Sequence, residues 1–354
     1  MIDILTLELT DRCNIRCRHC IASHEPGHGD SMDFTLIDEA VSAASELNIP
    51  MVSASGGETF LVPNHLRYFL ECTQDKQVLN HVVTNAFWAV DSNIAGNIME
   101  DLYQHGLNGI SVSYDQFHQE FITTATVRNA INAALDNNIE VDVKVVATKD
   151  KKTLDILREV STWGVPVSVN PMFFVGRAKK LEKRQIYYTD PLSETREIYG
   201  IEGCQSANKP FIQTNGNVIM CCGGLPDADL LSIYSGFPAI LGNAKADSVR
   251  TCLERLDNKI IRLIERLGPI ELMRYITKDT SGAVDPSITN VNFESMCEYC
   301  VYLLSKPQFH NILNELDENT PMEATPRDSF YDVEWDDIEE WANIPRHWVP
   351  RHLK

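Results

Sequence analysis

Cys13, Cys17 and Cys20 stand at the spacing C-x3-C-x2-C. Cysteines this dense ligate metals or pair as disulfides, yet three is one short of a tetrahedral zinc set and odd for a disulfide framework. Zinc would need a fourth ligand, for which His19, His24 or His28 could serve. An iron-sulfur cube gives another answer: three thiolates hold three irons and leave the fourth open to bind something that reacts. Far downstream lies a second group, Cys204, Cys221, Cys222, Cys297 and Cys300, the last two at C-x2-C spacing. Cys72 and Cys252 sit in helical patterns without partners at metal spacing and read as buried core thiols with no assigned role.

The elements that must position these residues alternate regularly. Strands are expected over 3–9, 50–55, 78–85, 109–115, 139–147 and 165–171, with helices over 35–47 (Thr35 as N-cap), 62–72, 91–105, 119–137 and 150–163. The strands read as continuous β-branched runs rather than clean alternation, which implies a parallel sheet covered by helices. Six units are too few to close an eight-stranded barrel, so the expectation is α/β, an open, partial (β/α)6 TIM-like barrel. Its reactive groups should gather at the C-terminal ends of the strands. The triple-cysteine stretch follows the first strand directly. Gly56, Gly57 and Glu58 end the second; the glycines let the backbone turn and approach a ligand, and Glu58 adds an acceptor. Thr84 and Asn85 end the third strand, and Ser113, Tyr114 and Asp115 the fourth.

Beyond Gly176 the rhythm changes to a small α+β region. Residues 211–222 form a hairpin with Asn215-Gly216 at its turn, followed by a long amphipathic helix (248–267), the CEYC pair and a helix to about 316. The expected division is a core over 1–180, a second domain over 181–316 and an acidic C-terminal tail over 317–354. A formal charge of −19 disfavours nucleic-acid partners, whose phosphates are bound by lysine and arginine. The first residues lack the pattern of a signal peptide, and no apolar run is long enough to span a membrane, so a cytoplasmic location without membrane association is expected.

The C-x3-C-x2-C after the first strand and GGE after the second resemble the radical S-adenosylmethionine (AdoMet) superfamily, over roughly residues 1 to 178. The resemblance implies a [4Fe-4S] cluster held by Cys13, Cys17 and Cys20, its open iron chelated by AdoMet. His19 would pack beside the adenine. Gly56, Gly57 and Glu58 would receive the methionyl ammonium, Asn85 and Ser113 the carboxylate or ribose, and Asp115 stands as a further contact. Reductive cleavage of AdoMet would yield a 5′-deoxyadenosyl radical that takes hydrogen from an unactivated carbon.

Cys204, Gly216 and Cys221 at C-x11-G-x4-C, followed by C-x2-C, resemble the auxiliary-cluster region called SPASM or, in shorter form, Twitch. VGRA (175–178) and LGN (241–243) resemble that family's linker and post-hairpin stretch. One auxiliary [4Fe-4S] cluster is implied, held by Cys204, Cys221, Cys297 and Cys300, with zinc in the same four thiolates as the alternative. Neighbouring residues on a strand face opposite ways, so Cys221 and Cys222 should not share one group. An auxiliary cluster with no open iron would accept or relay an electron, making the change an oxidation. The expected activity is oxidative modification of a peptide or protein, such as crosslinking, epimerisation or side-chain oxidation in the maturation of a ribosomal peptide (RiPP). An electron donor such as flavodoxin or ferredoxin is implied. Because the first strand begins at residue 3, a separate recognition protein or the tail would have to hold a peptide substrate. A small-molecule dehydrogenase of the 2-deoxy-scyllo-inosamine dehydrogenase type is the alternative enzyme, and a non-catalytic iron-sulfur or zinc protein the alternative outside catalysis. Tyr114, His118 and Arg177 could line the cavity, but each is expected to have an ordinary role at a helix start, in strand-end packing or in surface pairing.

Overall fold

The computed structural model describes residues 2–148, 151–172, 175–181, 203–204, 206–223, 239–278 and 296–317. Six parallel strands, β1 (Ile4–Thr10), β2 (Met51–Gly56), β3 (Leu79–Thr84), β4 (Gly109–Ser113), β5 (Glu140–Ala147) and β6 (Val167–Pro171), lie side by side in sequence order. Between them run α1 (Phe34–Glu46), α2 (Pro63–Asp75), α3 (Ser92–Gln104), α4 (Thr124–Asp136) and α5 (Lys151–Ser161). Crossovers of one hand between strands laid down in one direction put every helix on the same face. The result is an open partial barrel.

The strands alternate, which the sequence reading did not resolve. On the helix side stand Leu5, Leu7 and Leu9, then Val52 and Ala54, Val82, Ile110 and Val112, and Val143 and Val145, all buried. They meet Ile37, Ala40 and Val41 of α1, Leu66, Phe69 and Leu70 of α2, and Val127 and Ala130 of α4. The opposite face is polar. The register lines up Thr6 with Ser53 and Glu8 with Ser55, Ser53 with His81, Ser111 with Asp142 and Ser113 with Lys144, and Lys144 with Ser168. Ser111 donates to Asp142 and meets His81 Nε2 at 3.1 Å, so the buried carboxylate is satisfied on this face.

The hairpin joins the same sheet. β7 (Ala207–Ile212) runs parallel to β1, and β8 (Asn217–Cys221) and β9 (Ile240–Asn243) follow antiparallel. The C-terminal helices are α6 (Val249–Glu254), α7 (Lys259–Leu267), α8 (Pro269–Lys278), α9 (Met296–Leu304) and α10 (Pro307–Glu315). The single helix expected over 248–267 is split at Asn258, whose side chain accepts from the Ile260 amide at 2.8 Å and caps the second half. The N-cap of α1 is Asp33 rather than Thr35. The helix expected from 119 starts at Thr124, capped by the Thr123 hydroxyl on the Thr126 amide. Of the tail expected over 317–354, residues 318–354 lie outside the described residues. No helix among the described residues is long and apolar enough to cross a membrane.

The two faces should answer differently to truncation. Leu7→Ala, on the helix face, is expected to lower unfolding free energy by about 2–5 kcal/mol in urea titration. Ser55→Ala, half-buried on the polar face, should change it by less than about 1 kcal/mol. Equal losses would contradict this division of the sheet.

Candidate cofactor site at the rim of the barrel

The segment from Asp11 to Ser31 leaves β1 and returns to it. Its neck is closed by Asp11 N–H to Asp30 O at 3.2 Å, Met32 N–H to Leu9 O at 3.0 Å and the Thr10 hydroxyl to Asp30 O at 2.7 Å. Cys17 is buried, with Cys13 and Cys20 half-buried beside it. The Ile15 amide reaches the Cys13 sulfur, yet burial pushes that thiol up to about 11, with Glu58, Cys17 and Cys20 adding to the rise. A thiol so placed ionises at neutral pH only when a cation takes the proton's place.

The glycine turn after β2 presses against this segment. The Gly57 amide donates to Thr10 O and the Glu58 amide to Arg12 O, each at 2.8 Å. A Cβ on Gly57 would lie 1.9 Å from Arg12 O, so only glycine allows this approach. Gly56 ends β2 opposite Thr10. The carboxylate of Glu58 is fully enclosed. It accepts from the Thr84 hydroxyl at 2.8 Å, the Asn85 amide at 2.7 Å and the Phe60 amide at 3.2 Å. Burial still raises its pKa to about 7. The Asn85 side chain donates to Asn14 Oδ1 at 2.8 Å and accepts from the Phe87 amide, so it links β3 to the cysteine segment. Ser113 stands half-buried at the end of β4.

Asp115 accepts from the amides of Phe117 at 2.9 Å and His118 at 3.1 Å. Its other oxygen faces His118 Nδ1 at 2.9 Å and His19 Nε2 at 3.5 Å. Burial opposes every charge here, but the His118 and His19 rings hold the Asp115 carboxyl well below the usual range. Asp115 and Cys17 in turn push His118 well above the ordinary histidine value against its burial. His19 itself is lowered to about 4 by burial and stacks on Phe117 at 4.6 Å. His24 and His28 do not turn to the thiols: His24 Nε2 sits 3.0 Å from Glu8 Oε1, and His28 is exposed.

Two anchors escaped the sequence reading. Arg177, expected at the surface, is buried; it donates to Cys17 O at 2.8 Å and His24 O at 2.7 Å, while its amide donates to Cys20 O at 3.0 Å. Gly176 before it has φ +58°, and a Cβ there would lie 2.3 Å from Ile21 O. Glu8, inside β1, accepts from the Thr214 amide at 3.0 Å as well as meeting His24. The VGRA motif was the available signal for Arg177. An acidic residue within an apolar strand was the signal for Glu8.

The second thiol group also assembles. After burial, the pKa of Cys221 is raised by Cys204, Cys297 and Cys300, and that of Cys300 by Cys204 and Cys297, so these thiols lie close enough to couple electrostatically. The Ala207 amide donates to Cys204 O at 3.1 Å, and the neighbouring Ser206 and Ala207 amides ease the burial that raises the Cys204 thiol. Against burial Lys209 and Lys144 lower the Cys222 thiol, and Cys222 in turn raises Cys204 and Cys221, so it borders both the lysines and the thiol group. Cys72 and Cys252 are buried within α2 and α6.

The profile of the Radical SAM superfamily matches residues 7–174, the stretch that carries the cysteine segment, the glycine turn and all six parallel strands. Residues 7–174 are a radical SAM domain. Over its length the chain is 23% identical to YydG of Bacillus subtilis (strain 168), a protein named for peptide biosynthesis, across 312 residues covering 86% of this chain and 92% of that one. It is 22% identical to the GTP 3′,8-cyclase of Clostridium perfringens (strain 13 / Type A) over 197 residues, 51% of this chain and 58% of the cyclase. In fold it is similar to anSMEcpe, whose structure holds AdoMet, with TM-score 0.50 at 14% identity over 88% of this chain and 100% of that one.

The radical SAM domain fits the [4Fe-4S] cluster and AdoMet that the superfamily implies. Its donors are all thiols, with a backbone amide aimed at one sulfur and a glycine cradle that a Cβ would fill.

Glu58 yields a pH prediction. Its folded pKa near 7 lies above the ordinary 4.5, so its contribution to stability is complete below pH 4.5 and is lost as pH rises through 7. Glu58→Gln leaves the Asn85 or Phe60 amide without its acceptor and should destabilise by about 1–3 kcal/mol at pH 5. The deficit should narrow by pH 8 in urea titrations; a deficit that widens would contradict the sign. For Arg177→Ala, loss of two charge-assisted bonds to carbonyls should lower stability by about 2–3 kcal/mol and reduce iron bound per chain after anaerobic reconstitution. Arg177→Lys should recover little, because one ammonium cannot reproduce the fork that meets both carbonyls; full recovery with lysine would refute the clamp.

Proposed function

We propose that this radical SAM enzyme modifies a peptide or protein substrate, with Cys13, Cys17 and Cys20 holding a [4Fe-4S] cluster and Cys204, Cys221, Cys297 and Cys300 a second, SPASM- or Twitch-like one. The observation that carries the reading is the second group of thiols, brought together beside β8 on the same sheet as the radical SAM domain. The peptide class is supported by the likeness to YydG along 92% of that protein. When bound, the first cluster and AdoMet supply a 5′-deoxyadenosyl radical, with an electron from a donor such as flavodoxin or ferredoxin.

The chain's own residues do the rest. Gly56, Gly57 and Glu58 place backbone and carboxylate beside the cysteine segment for the methionyl end of AdoMet, and Ser113 and Asn85 border the same space. The Glu58 carboxylate is already engaged by three donors, so it acts by fixing the turn, and the backbone of the glycines is what meets the ligand. The polar inner face, with Ser55, Ser113, Lys144 and Asn170, would bind substrate, while the apolar helix face keeps water from the sheet's other side.

Cys222 favours one class of product. It is the thiol left over from the four, beside Lys144 of the inner face. A thiol hydrogen is readily given to a carbon radical: the S–H bond breaks, a C–H bond forms, and the sulfur radical left behind would be restored by one electron from the external donor and one proton from water. The product would then keep its oxidation level and could differ from substrate in configuration alone.

Reconstituted protein should release 5′-deoxyadenosine from AdoMet, and alanine at Cys13, Cys17 or Cys20 should reduce release to background; zinc in place of iron with no release would overturn the proposal. Alanine at both Cys297 and Cys300 should preserve cleavage and abolish conversion of a co-expressed candidate peptide by mass spectrometry. In deuterated water the peptide should gain one deuterium, and Cys222→Ala should prevent this. A product two hydrogens lighter, made equally well without Cys222, would point instead to oxidation.

A further inference from the structure

The cysteine segment carries a charge pattern that the proposed cofactor contacts do not use. Residues 12–20 hold Arg12, Arg16 and Arg18, and residues 176–180 hold Arg177, Lys179 and Lys180, with no acidic residue in either stretch of a chain whose formal charge is −19. Folding joins the two stretches: the Arg177 amide donates to Cys20 O at 3.0 Å and its guanidinium to Cys17 O at 2.8 Å. Glu25 and Glu120 offset the excess only in part. Glu25 accepts from Arg16 Nε at 2.8 Å and Arg16 Nη2 at 3.2 Å, with Arg177 Nη1 at 3.6 Å, so one carboxylate faces two guanidiniums. Glu120 accepts from Arg18 Nε at 2.9 Å, and that guanidinium lies 5.5 Å from the centre of the Phe117 ring. Arg16 and Arg18 still leave 60% and 49% of their side chains in solvent. Lys179 and Lys180 are exposed, as is Phe121 next to Glu120. Arginine beside an exposed aromatic ring is a composition that interfaces favour, and exposed ion pairs are weak enough for a partner's carboxylates to replace.

We propose that this basic surface docks a small acidic one-electron carrier protein, which is oxidised by one electron as the cluster beneath it is reduced by one. The inference rests on the reading that Cys13, Cys17 and Cys20 hold that cluster. Arg16 and Arg18 flank Cys17 in the chain, so a partner seated on them lies one residue of backbone from a ligating position. Cys13 and Cys20, on the same segment, are only half-buried. Substrate is assigned to the polar inner face of the sheet, which leaves the exposed loop surface for the electron. An acidic carrier is repelled by the chain as a whole and attracted by this patch within about a Debye length, ~8 Å at physiological salt. Docking elsewhere on the acidic surface is thereby disfavoured, and the encounter is confined to the loop that holds the thiols.

The test uses anaerobically reconstituted full-length protein and measures 5′-deoxyadenosine released from AdoMet, driven either by a reduced acidic flavodoxin or by dithionite, a small reductant that needs no docking surface. With Arg16→Glu and Lys180→Glu combined, the flavodoxin concentration that gives half the maximal rate should rise about tenfold at low salt, while iron content and dithionite-driven release stay unchanged. Added salt should weaken flavodoxin-driven release by the unsubstituted protein and affect the double variant less. Lys180→Glu alone, at an exposed position, should shift half-saturation the same way by less, and it carries the test if the double variant loses iron. Half-saturation unmoved in Lys180→Glu and in the double variant, or insensitive to salt in the unsubstituted protein, overturns the proposal and leaves the cluster reading intact. A double variant that keeps its flavodoxin response but loses affinity for an acidic substrate peptide also overturns it, and assigns the patch to substrate. If the unsubstituted protein releases no 5′-deoxyadenosine with dithionite, the cluster reading itself fails and the proposal falls with it.

Discussion

The segment between β1 and α1 has almost no regular structure of its own, and all the chemistry of the rim depends on holding it still. An irregular loop cannot satisfy its backbone internally, so its carbonyls must find donors elsewhere. Here they find them on several strands. Thr10 and Arg12 are met by the amides after β2, Cys17 and His24 by the Arg177 guanidinium after β6, and Cys20 by the Arg177 amide. Asn14 is met by Asn85 after β3. Donors from opposite ends of the parallel array thus converge on one loop, which couples the placement of three thiols to the curvature of the sheet.

The same constraint accounts for the buried charges. Glu8, Glu58 and Asp115 would each be costly inside a protein without partners. Each instead sits where a turn exposes amides or a ring: Glu58 on the turn after β3, Asp115 on its own turn and His118, Glu8 between His24 and the Thr214 amide. These carboxylates knit the polar face of the sheet as the leucines and valines knit the helix face. One face supplies most of the stability through apolar burial, and the other supplies geometry.

β7 joins β1, so the second thiol group is built on the same continuous sheet as the first. Its cysteines come from the loop before β7, the end of β8 and the first turn of α9, distant segments that only packing can unite. Cys221, Cys297 and Cys300 are buried and Cys204 half-buried, and after burial their neighbours raise the thiols of Cys221 and Cys300 further. Such a group is strained as a set of free thiolates and relieved by a shared cation.

Much was legible from the chain alone. The spacing C-x3-C-x2-C, the GGE turn and the six-fold strand and helix rhythm are local features, written in neighbouring residues and in short periods, so the parallel partial barrel and its cysteine-bearing rim could be read directly. Helix ends were read less well: Asp33 and Thr123 cap where the periodic pattern pointed a few residues away, because a cap depends on where the chain turns. What only the tertiary structure decided was long-range. Arg177 lies 160 residues from the carbonyl it holds, and Glu8 is 206 residues from the Thr214 amide it accepts. The alternation of polar and apolar faces was hidden because Ser and Thr sit among β-branched residues without breaking a strand pattern. Sequence records which groups are available; the folded sheet alone determines which of them come within hydrogen-bonding distance, since those contacts join segments that no local periodicity links.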